Sequence, residues 1–266
     1  MSDLMEKRGI LDLLDLTLLD LDASEEDLAE VCDLASKHRT AAVCVFPEHA
    51  GFVKGRIDSV VSLALVAGGF PRGSESPDEI FDAVSEAASK GADEIDCVLE
   101  PREDASFPGQ SELAKLIAMR EASQGLILKV IVESPLLDER RLRAVTRMAL
   151  AAGADLVKSC TGKRGGCSDE AAAIMAEEVG RHCLSFEGSP GVKLSGGIST
   201  REDAERLISI VRGRDESITG KERIRIGASS LCLLYTSPSP RDATLSGGAG
   251  GGGKKKGGGG GGGGGG

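Results

Sequence analysis

Short runs rich in valine, isoleucine and leucine recur along the chain, and segments with helical signals separate them. Most of the runs lack a strict alternation of apolar and polar residues, which is typical of parallel strands covered on both faces. They predict eight strands, at residues 13–17, 40–46, 60–66, 94–99, 126–132, 155–159, 191–194 and 223–227.

The segments between these runs carry the start and stop signals of helices. Ser76 begins one helix, with Pro77 at its first position and Glu79 completing a capping box. Gly91 and Gly153 each follow a helix and precede a strand, where glycine serves as a left-handed cap. Eight strands with interleaved helices predict an α/β protein, a single-domain (β/α)8 TIM barrel.

The C-terminal part of the chain has a different composition. Sixteen of the 37 glycines lie between Gly247 and Gly266, interrupted by three lysines. We predict a barrel domain at residues 1–232 and a low-complexity tail at 233–266, disordered because it buries too little apolar surface to offset its ordering entropy. We interpret the tail as a translated linker or sequencing artefact rather than native sequence. It interrupts the final helix, which is expected to begin at Ser230.

The charge balance narrows the choice of partners. The chain has 32 basic and 42 acidic side chains, a net charge of −10 and a pI near 5.0, which argues against binding to nucleic acid or anionic membranes. No apolar run is long enough to span a bilayer, and the N-terminus lacks the pattern of a secretory signal. Seven cysteines without CxxC or zinc spacing favour reduced thiols, a cytoplasmic location and no metal site.

Two lysines in apolar strands are the candidate chemistry. Lys158 and Lys193 lie on strands six and seven, near the strand ends at which barrel enzymes act. Each ammonium would disfavour the charge of the other and lower its pKa, which makes an amine nucleophilic near neutral pH. In the alternative interpretation, both lysines reach the rim and form structural ion pairs with Asp15 and Asp96.

Three glycine-bearing loops follow strands six, seven and eight. Backbone N–H groups, a hydroxyl, a cation and the start of a helix are the parts of a phosphate site, which barrels often carry in the last loops. The residues concerned are Thr161, Gly162, Lys163, Gly196, Gly197, Gly227, Ser229 and Ser230. The common nucleotide fingerprints, GxGxxG after the first strand and GxxxxGK[ST], are absent from the sequence.

Nine segments in chain order carry a resemblance to a known family. They are DLT at 15–17, AVCVFP at 42–47, FPRG at 70–73, GADEID at 91–96, LKVIVE at 128–133, GADLVK at 153–158, TGK at 161–163, GGI at 196–198 and IGASS at 226–230. Across roughly residues 10–232 the chain resembles the deoxyribose-phosphate aldolase family of class I, Schiff-base aldolases. The resemblance implies reversible cleavage of 2-deoxy-D-ribose 5-phosphate to acetaldehyde and D-glyceraldehyde 3-phosphate, in deoxynucleoside breakdown.

The resemblance also implies roles for individual residues. Lys158 would form the imine with the substrate carbonyl, Lys193 would perturb it, and Asp96 would relay protons through water. Candidate substrate contacts on strands one and two are Asp15, Thr17 and Cys44. Neither a metal nor an organic cofactor is required, the only small-molecule partner is the phosphosugar, and a homodimer is expected.

Some positions depart from the family pattern. Gly68 and Gly69 replace a polar pair before Phe-Pro, and Tyr235, the only tyrosine, lies in the tail, so the role of the family's terminal tyrosine is left unassigned.

Lys129 on strand five either adds charge near the site or pairs with Glu133 or Asp96. Two other functions stay open: a Schiff-base aldolase for another phosphorylated sugar, and a catalytically silent phosphosugar-binding barrel.

Overall fold

The computed structural model describes residues 9–229, and these form a closed barrel of eight parallel strands in sequence order. The strands are β1 (Leu14–Leu18), β2 (Ala42–Val45), β3 (Ser62–Ala67), β4 (Glu94–Val98), β5 (Ile127–Ile131), β6 (Leu156–Lys158), β7 (Gly191–Ser195) and β8 (Ile224–Ala228). Pairing of β8 with β1, with Leu14 opposite Ile226, closes the barrel. The predicted (β/α)8 class is confirmed, and every predicted strand lies within two residues of its observed bounds.

Helices surround the barrel and cover the outer faces of the strands. They are α1 (Glu25–His38), α2 (Ala50–Lys54), α3 (Pro77–Ser89), α4 (Gln110–Ala122), α5 (Glu139–Ala151), α6 (Asp169–Ser185) and α7 (Arg201–Arg214), with 3-10 turns at Pro47–His49 and Ser134–Leu136. Of the helices in residues 9–229, none is long and apolar enough to cross a membrane. The helix expected at Ser230, the domain boundary at residue 232 and the tail at 233–266 lie outside the described residues.

The helix signals are largely confirmed. Gly91 and Gly153 have φ angles of +87° and +93°, the left-handed conformation expected of caps. The Ser76 hydroxyl accepts the Glu79 N–H, but the predicted capping box is only half formed. The Glu79 carboxylate instead accepts a hydrogen bond from the Ser74 hydroxyl, which itself accepts the Ser76 N–H at 3.2 Å.

The barrel interior is divided into an apolar side and a charged side. Small apolar side chains fill the space inside β2 and β3, and the rings of Phe46 and Phe70 pack near them with centroids 5.9 Å apart. These apolar interior residues are Ala42, Cys44, Ala64 and Val66. Strand register places Lys158 opposite Lys193, and Lys193 opposite Arg225, on the other side. The charged side positions the candidate site.

Candidate active site

A cluster of ionisable side chains fills the charged side of the interior. Each member is between 0% and 2% exposed. The members that contact one another are Asp15, Glu94, Asp96, Lys129, Lys158, Lys193 and Arg225. We call them the interior charge cluster. An isolated charge buried this deeply would be very costly, so the contacts within the cluster are what make its burial tolerable.

Asp96 on β4 contacts three ammonium groups. Its Oδ2 lies 2.8 Å from Lys158 Nζ and 2.7 Å from Lys193 Nζ, and its Oδ1 lies 3.0 Å from Lys129 Nζ. Burial alone would raise the pKa of Asp96, but the three ammonium groups outweigh burial and hold this pKa well below its ordinary range. Asp96 is therefore an anion placed between two lysines of adjacent strands.

Asp15 on β1 joins the rest of the cluster. Its Oδ2 lies 2.6 Å from Lys193 Nζ and 2.9 Å from Lys129 Nζ, and its Oδ1 accepts from Arg225 Nη1 at 2.6 Å. Burial opposes ionisation here as well, yet these cations hold the pKa of Asp15 far below its usual value. Glu94 accepts from Arg225 Nη2 at 2.8 Å and also contacts Lys129.

The structure corrects one expectation about the lysines. Burial favours the neutral form of Lys193, but the carboxylates of Asp15 and Asp96 outweigh burial and raise its pKa above the ordinary lysine value. The prediction that each lysine lowers the pKa of the other is therefore wrong for Lys193. The ion pairs of the alternative interpretation are formed, but in the interior rather than at the rim, because Lys158 and Lys193 are only 2% and 0% exposed.

A cavity of about 350 Å³ opens above the cluster at the C-terminal end of the strands. Lys158 borders this cavity together with most of the residues predicted for the phosphate site. The predicted residues lining it are Thr17, Lys158, Thr161, Gly162, Lys163, Gly196, Gly197, Gly227 and Ser229. Ser230 lies outside the described residues, as does the helix start that was expected to favour an anion. Within residues 9–229, no group of three or more His, Cys, Asp and Glu side chains is arranged to hold a metal ion.

Cys44 lies on the apolar side, away from the lining of this cavity. Its Sγ is 4.0 Å from Asp96 Oδ2. Burial, reinforced by the Asp96 charge, raises the pKa of the Cys44 thiol, so it remains protonated and is a poor nucleophile. The structure therefore does not bring Cys44, a candidate substrate contact, to the lining of this cavity.

Gly227 makes room for the protein's own side chains. A Cβ at this position would lie 3.0 Å from Ser195 Cβ and 3.3 Å from Lys193 Cε. A side chain at Gly227 would therefore displace Lys193 as well as narrow the cavity. Gly227 was expected in the phosphate site, and these distances show that it also makes room for Lys193.

Two members of the cluster were not predicted as site residues from the sequence. Glu94 lies two positions before Asp96 on β4, and Arg225 lies opposite Lys193 on β8. The period-two alternation of a strand, applied from Asp96 on β4 and from the predicted site residue Gly227 on β8, would have indicated both. Lys129 contacts Asp96 as one alternative predicted, but Glu133 pairs elsewhere, so the Lys129–Glu133 pair is wrong.

The arrangement is suited to covalent chemistry with a carbonyl compound. Lys158 places an amine at the edge of a cavity, and Asp96 holds that amine from the interior side. A lysine amine attacks a carbonyl to give an imine, and a nearby carboxylate can exchange the protons that this reaction moves. The polar loops that line the cavity carry a hydroxyl, an ammonium group and backbone N–H groups. These groups can bind an anionic part of the same molecule.

Comparisons with known proteins agree with this chemistry. The family model described as DeoC/LacD family aldolase matches residues 11–231. A protein of Corynebacterium jeikeium named deoxyribose-phosphate aldolase is 39% identical over 222 residues, covering 76% of this chain and 89% of its own length. A protein of Finegoldia magna with the same name is 33% identical over 218 residues, covering 82% and 94%. A solved structure, described as a unique tetrameric deoxyribose phosphate aldolase from Aeropyrum pernix, superposes with a TM-score of 0.70 at 26% identity, covering 86% of this chain and 90% of the other.

Proposed function

The chain belongs to the DeoC/LacD family of aldolases, and from this premise we propose that it cleaves 2-deoxy-D-ribose 5-phosphate reversibly to acetaldehyde and D-glyceraldehyde 3-phosphate. The observation that carries the proposal is the Lys158 amine, which borders the cavity and lies 2.8 Å from the Asp96 carboxylate. The names of the relatives support the choice of substrate, and the geometry around Lys158 supports the choice of nucleophile.

Contacts with carboxylates support Lys158, rather than another cation of the interior charge cluster, as that nucleophile. Lys129 contacts three carboxylates, and Lys193 contacts two. Lys158 contacts Asp96 alone and is the member of the interior charge cluster that borders the cavity. Removing the proton of Lys158 therefore breaks the fewest charge pairs, and a neutral amine is what attacks a carbonyl.

The reaction begins with attack of Lys158 Nζ on the C1 aldehyde of the open-chain sugar. The resulting carbinolamine loses water, and the bond between C1 and Nζ becomes the double bond of a protonated imine. Asp96 is placed to accept the proton that the amine gives up and to return a proton to the departing hydroxyl, directly or through water. Lys193, which donates to the same Asp96 oxygen at 2.7 Å, keeps that carboxylate oriented.

Cleavage then breaks the C2–C3 bond. The C3 hydroxyl loses its proton to a base, the electron pair of the C2–C3 bond moves to C2, and the protonated imine accepts it as an enamine. The C3–C5 fragment leaves as glyceraldehyde 3-phosphate. Protonation of the enamine at C2 and hydrolysis of the imine release acetaldehyde and restore Lys158, so atoms and charges balance over the cycle.

The phosphate of the substrate is assigned to the loops around Thr161, Lys163 and Gly196. These loops line the same cavity as Lys158, so one molecule can reach both. The Lys163 side chain is exposed, and its Nζ donates to the Leu19 carbonyl at 3.4 Å, which leaves donor capacity for an anion. Binding at the far end of the sugar orients C1 toward the amine.

The compartment and the assembly are further proposals. We place the protein in the cytoplasm, and the six cysteines among residues 9–229, which are all free thiols, support a reducing compartment. Self-association as a homodimer is proposed by family resemblance, and the Aeropyrum pernix relative, described as tetrameric, supports self-association in the family. Light scattering of the purified chain measures its mass directly, and a monomer at micromolar concentration would contradict this proposal.

Borohydride trapping tests the proposed function. The protein is incubated with acetaldehyde, reduced, digested and mapped by mass spectrometry, and a two-carbon adduct is expected on the Lys158 peptide. Lys158→Met should give no adduct, while Lys129→Met provides a control that removes a buried lysine and leaves the proposed nucleophile in place. An adduct on Lys193, or no adduct with folded protein, would contradict the assignment. Release of acetaldehyde from deoxyribose 5-phosphate, compared with other phosphorylated aldoses, tests the substrate.

A further inference from the structure

A second group of charged side chains ties together the loops that follow β3 to β6. Glu100 follows β4, Glu133 follows β5, and Arg164 lies in the loop after β6. We call these three residues the loop clamp. None of the three lines the cavity that Lys158 borders, so they do not belong to the site described above.

Glu133 holds the beginning of the loop after β6. Its side chain is completely buried. Its Oε1 accepts the backbone N–H of Thr161 at 2.7 Å, and its Oε2 accepts the Thr161 hydroxyl at 2.8 Å. Thr161 and the next two residues line the cavity, and the Lys163 N–H in turn donates to the Thr161 hydroxyl at 3.2 Å. The carboxylate of Glu133 therefore fixes the loop through both the backbone and the side chain of Thr161.

Arg164 connects Glu133 to the neighbouring loops after β4 and β3. Its Nε donates to Glu133 Oε2 at 2.7 Å, while Nη1 and Nη2 donate to the two oxygens of Glu100 at 2.6 and 2.9 Å. Glu100 Oε2 also accepts the Gly73 N–H at 3.1 Å, which includes the loop after β3. A two-pronged arginine–carboxylate pair has a defined orientation, so the loop clamp sets the relative position of these loops.

The backbone of Glu133 provides an independent observation. Its φ and ψ are both 54°, the left-handed region that a residue with a Cβ adopts only at an energetic cost. Such strained conformations persist where surrounding contacts enforce them, and they are concentrated at functional sites. Glycine would adopt this conformation without strain, so the glutamate at this position is explained by what its carboxylate binds.

We propose that Glu133 is a positioning residue that, through Arg164 and Glu100, holds residues 161–163 in the geometry that receives the substrate phosphate. This inference rests on the proposed function and deepens it. Glu133 does not touch the substrate. It acts through Thr161, and its loss affects the phosphate end of the cavity more than the chemistry at Lys158.

Glu133→Gln tests the proposal with little change in shape. The amide oxygen can still accept the Thr161 N–H, but the anion that orients Arg164 is lost. We expect KM for deoxyribose 5-phosphate to rise about tenfold with kcat changed by less than about twofold, and kcat/KM for unphosphorylated deoxyribose to stay within about twofold. Glu133→Asp, which keeps the charge and shortens the side chain, should recover part of the affinity.

Glu178→Gln is the matched control. Glu178 is also a fully buried glutamate, and it accepts hydrogen bonds from Arg143, Arg147 and Arg181 on α5 and α6, away from the cavity. It should lower stability as Glu133→Gln does, yet leave KM for both sugars unchanged. If Glu133→Gln fails to fold, Arg164→Gln removes the same clamp at a residue whose side chain is 21% exposed.

A readout without turnover separates this inference from the proposed function. Hydrogen exchange of the peptide containing Thr161 should become faster in Glu133→Gln and stay unchanged in Glu178→Gln, whether or not the protein is an aldolase. Inorganic phosphate, used as the probe, should slow this exchange in the wild-type protein and do so less in Glu133→Gln. Unchanged exchange at Thr161, or an equal loss of activity toward both sugars, would overturn the proposal. Absence of acetaldehyde trapping in the wild type would instead overturn the proposed function.

Discussion

Asp96→Asn is the substitution for which the interior charge cluster makes the sharpest prediction. The change keeps the size of the side chain and removes one negative charge. In the described residues, four cations and three carboxylates form the cluster, and Asp96 is the carboxylate that contacts Lys129, Lys158 and Lys193. The asparagine amide would leave these ammonium groups with one carboxylate fewer and would place an N–H donor among donors.

The expected cost follows from burial of the partners. Removing one member of a buried ion pair costs about 3–5 kcal/mol, because the remaining charge is left uncompensated. Asp96 is completely buried and so is Lys193, so the upper part of that range applies. Lys193→Met, added to Asp96→Asn, restores the original difference between positive and negative charges. The double variant should therefore be less destabilised than the sum of the two single variants, by about 1–3 kcal/mol of coupling energy.

Urea denaturation at pH 7, followed by circular dichroism, measures the free energies of unfolding of the wild type, both single variants and the double variant. Acetaldehyde release should be lost in Asp96→Asn and should not return in the double variant, because charge balance is not proton transfer. A cost below about 1 kcal/mol for Asp96→Asn would mean that the cluster is screened like a surface pair. Strict additivity of the two substitutions would refute the charge-balance reasoning itself.

Three further predictions follow from the site. The pKa values of Asp15 and Asp96 are lowered in the folded protein. Their contribution to stability is therefore complete above the ordinary carboxyl pKa of about 4 and is lost as the pH falls below it. Urea titrations from pH 7 to pH 3 should show this loss, and the loss should be smaller in Asp96→Asn. Gly227→Ala should reduce kcat/KM for phosphorylated and unphosphorylated deoxyribose alike, since its Cβ would press on Lys193 Cε and Ser195 Cβ; steady-state kinetics showing a selective loss of the phosphorylated sugar would contradict this. Lys163→Gln should raise KM for the phosphorylated sugar by about 3- to 30-fold and leave the unphosphorylated sugar unaffected, because an exposed charge contributes to binding without reaching Lys158; equal effects in the same kinetic assay would remove Lys163 from the phosphate site.

The strands could be predicted from the sequence because burial on both faces leaves a signature in composition. Apart from Ser62, β2 and β3 consist of small and branched apolar residues, and their bounds lie within two residues of the predicted ones. The helix caps at Gly91 and Gly153 could also be predicted from the sequence, because the left-handed conformation restricts the residue type locally. The strands and the caps depend on local burial and local backbone conformation, and the neighbouring sequence reflects both.

The partners within the cluster could not be predicted in the same way. Lys129 bonds to Asp15, 114 positions away, and Arg225 bonds to Glu94, 131 positions away. These contacts cross the barrel between strands that are not hydrogen-bonded to each other, so neither strand order nor register determines them. Glu133 was misassigned because its partner also depends on a feature that the sequence does not show. Its backbone is left-handed, which turns its side chain away from the barrel interior and toward Thr161.

The sequence left two interpretations open for Lys158 and Lys193, a reactive amine or structural ion pairs. The two interpretations are compatible, because burial of these lysines requires ion pairs. A lysine as deeply buried as Lys193 needs carboxylates beside it, because desolvation of an unpaired ammonium costs several kcal/mol. Those carboxylates raise the pKa of Lys193 and keep it cationic, so Lys193 itself is unsuited to attack a carbonyl. Lys193 donates to the same Asp96 oxygen as Lys158, however, so the two ammonium groups share one carboxylate oxygen. In the proposed mechanism, the structural ion pair at Lys193 therefore holds Asp96 in place beside Lys158, the member of the cluster that borders the cavity.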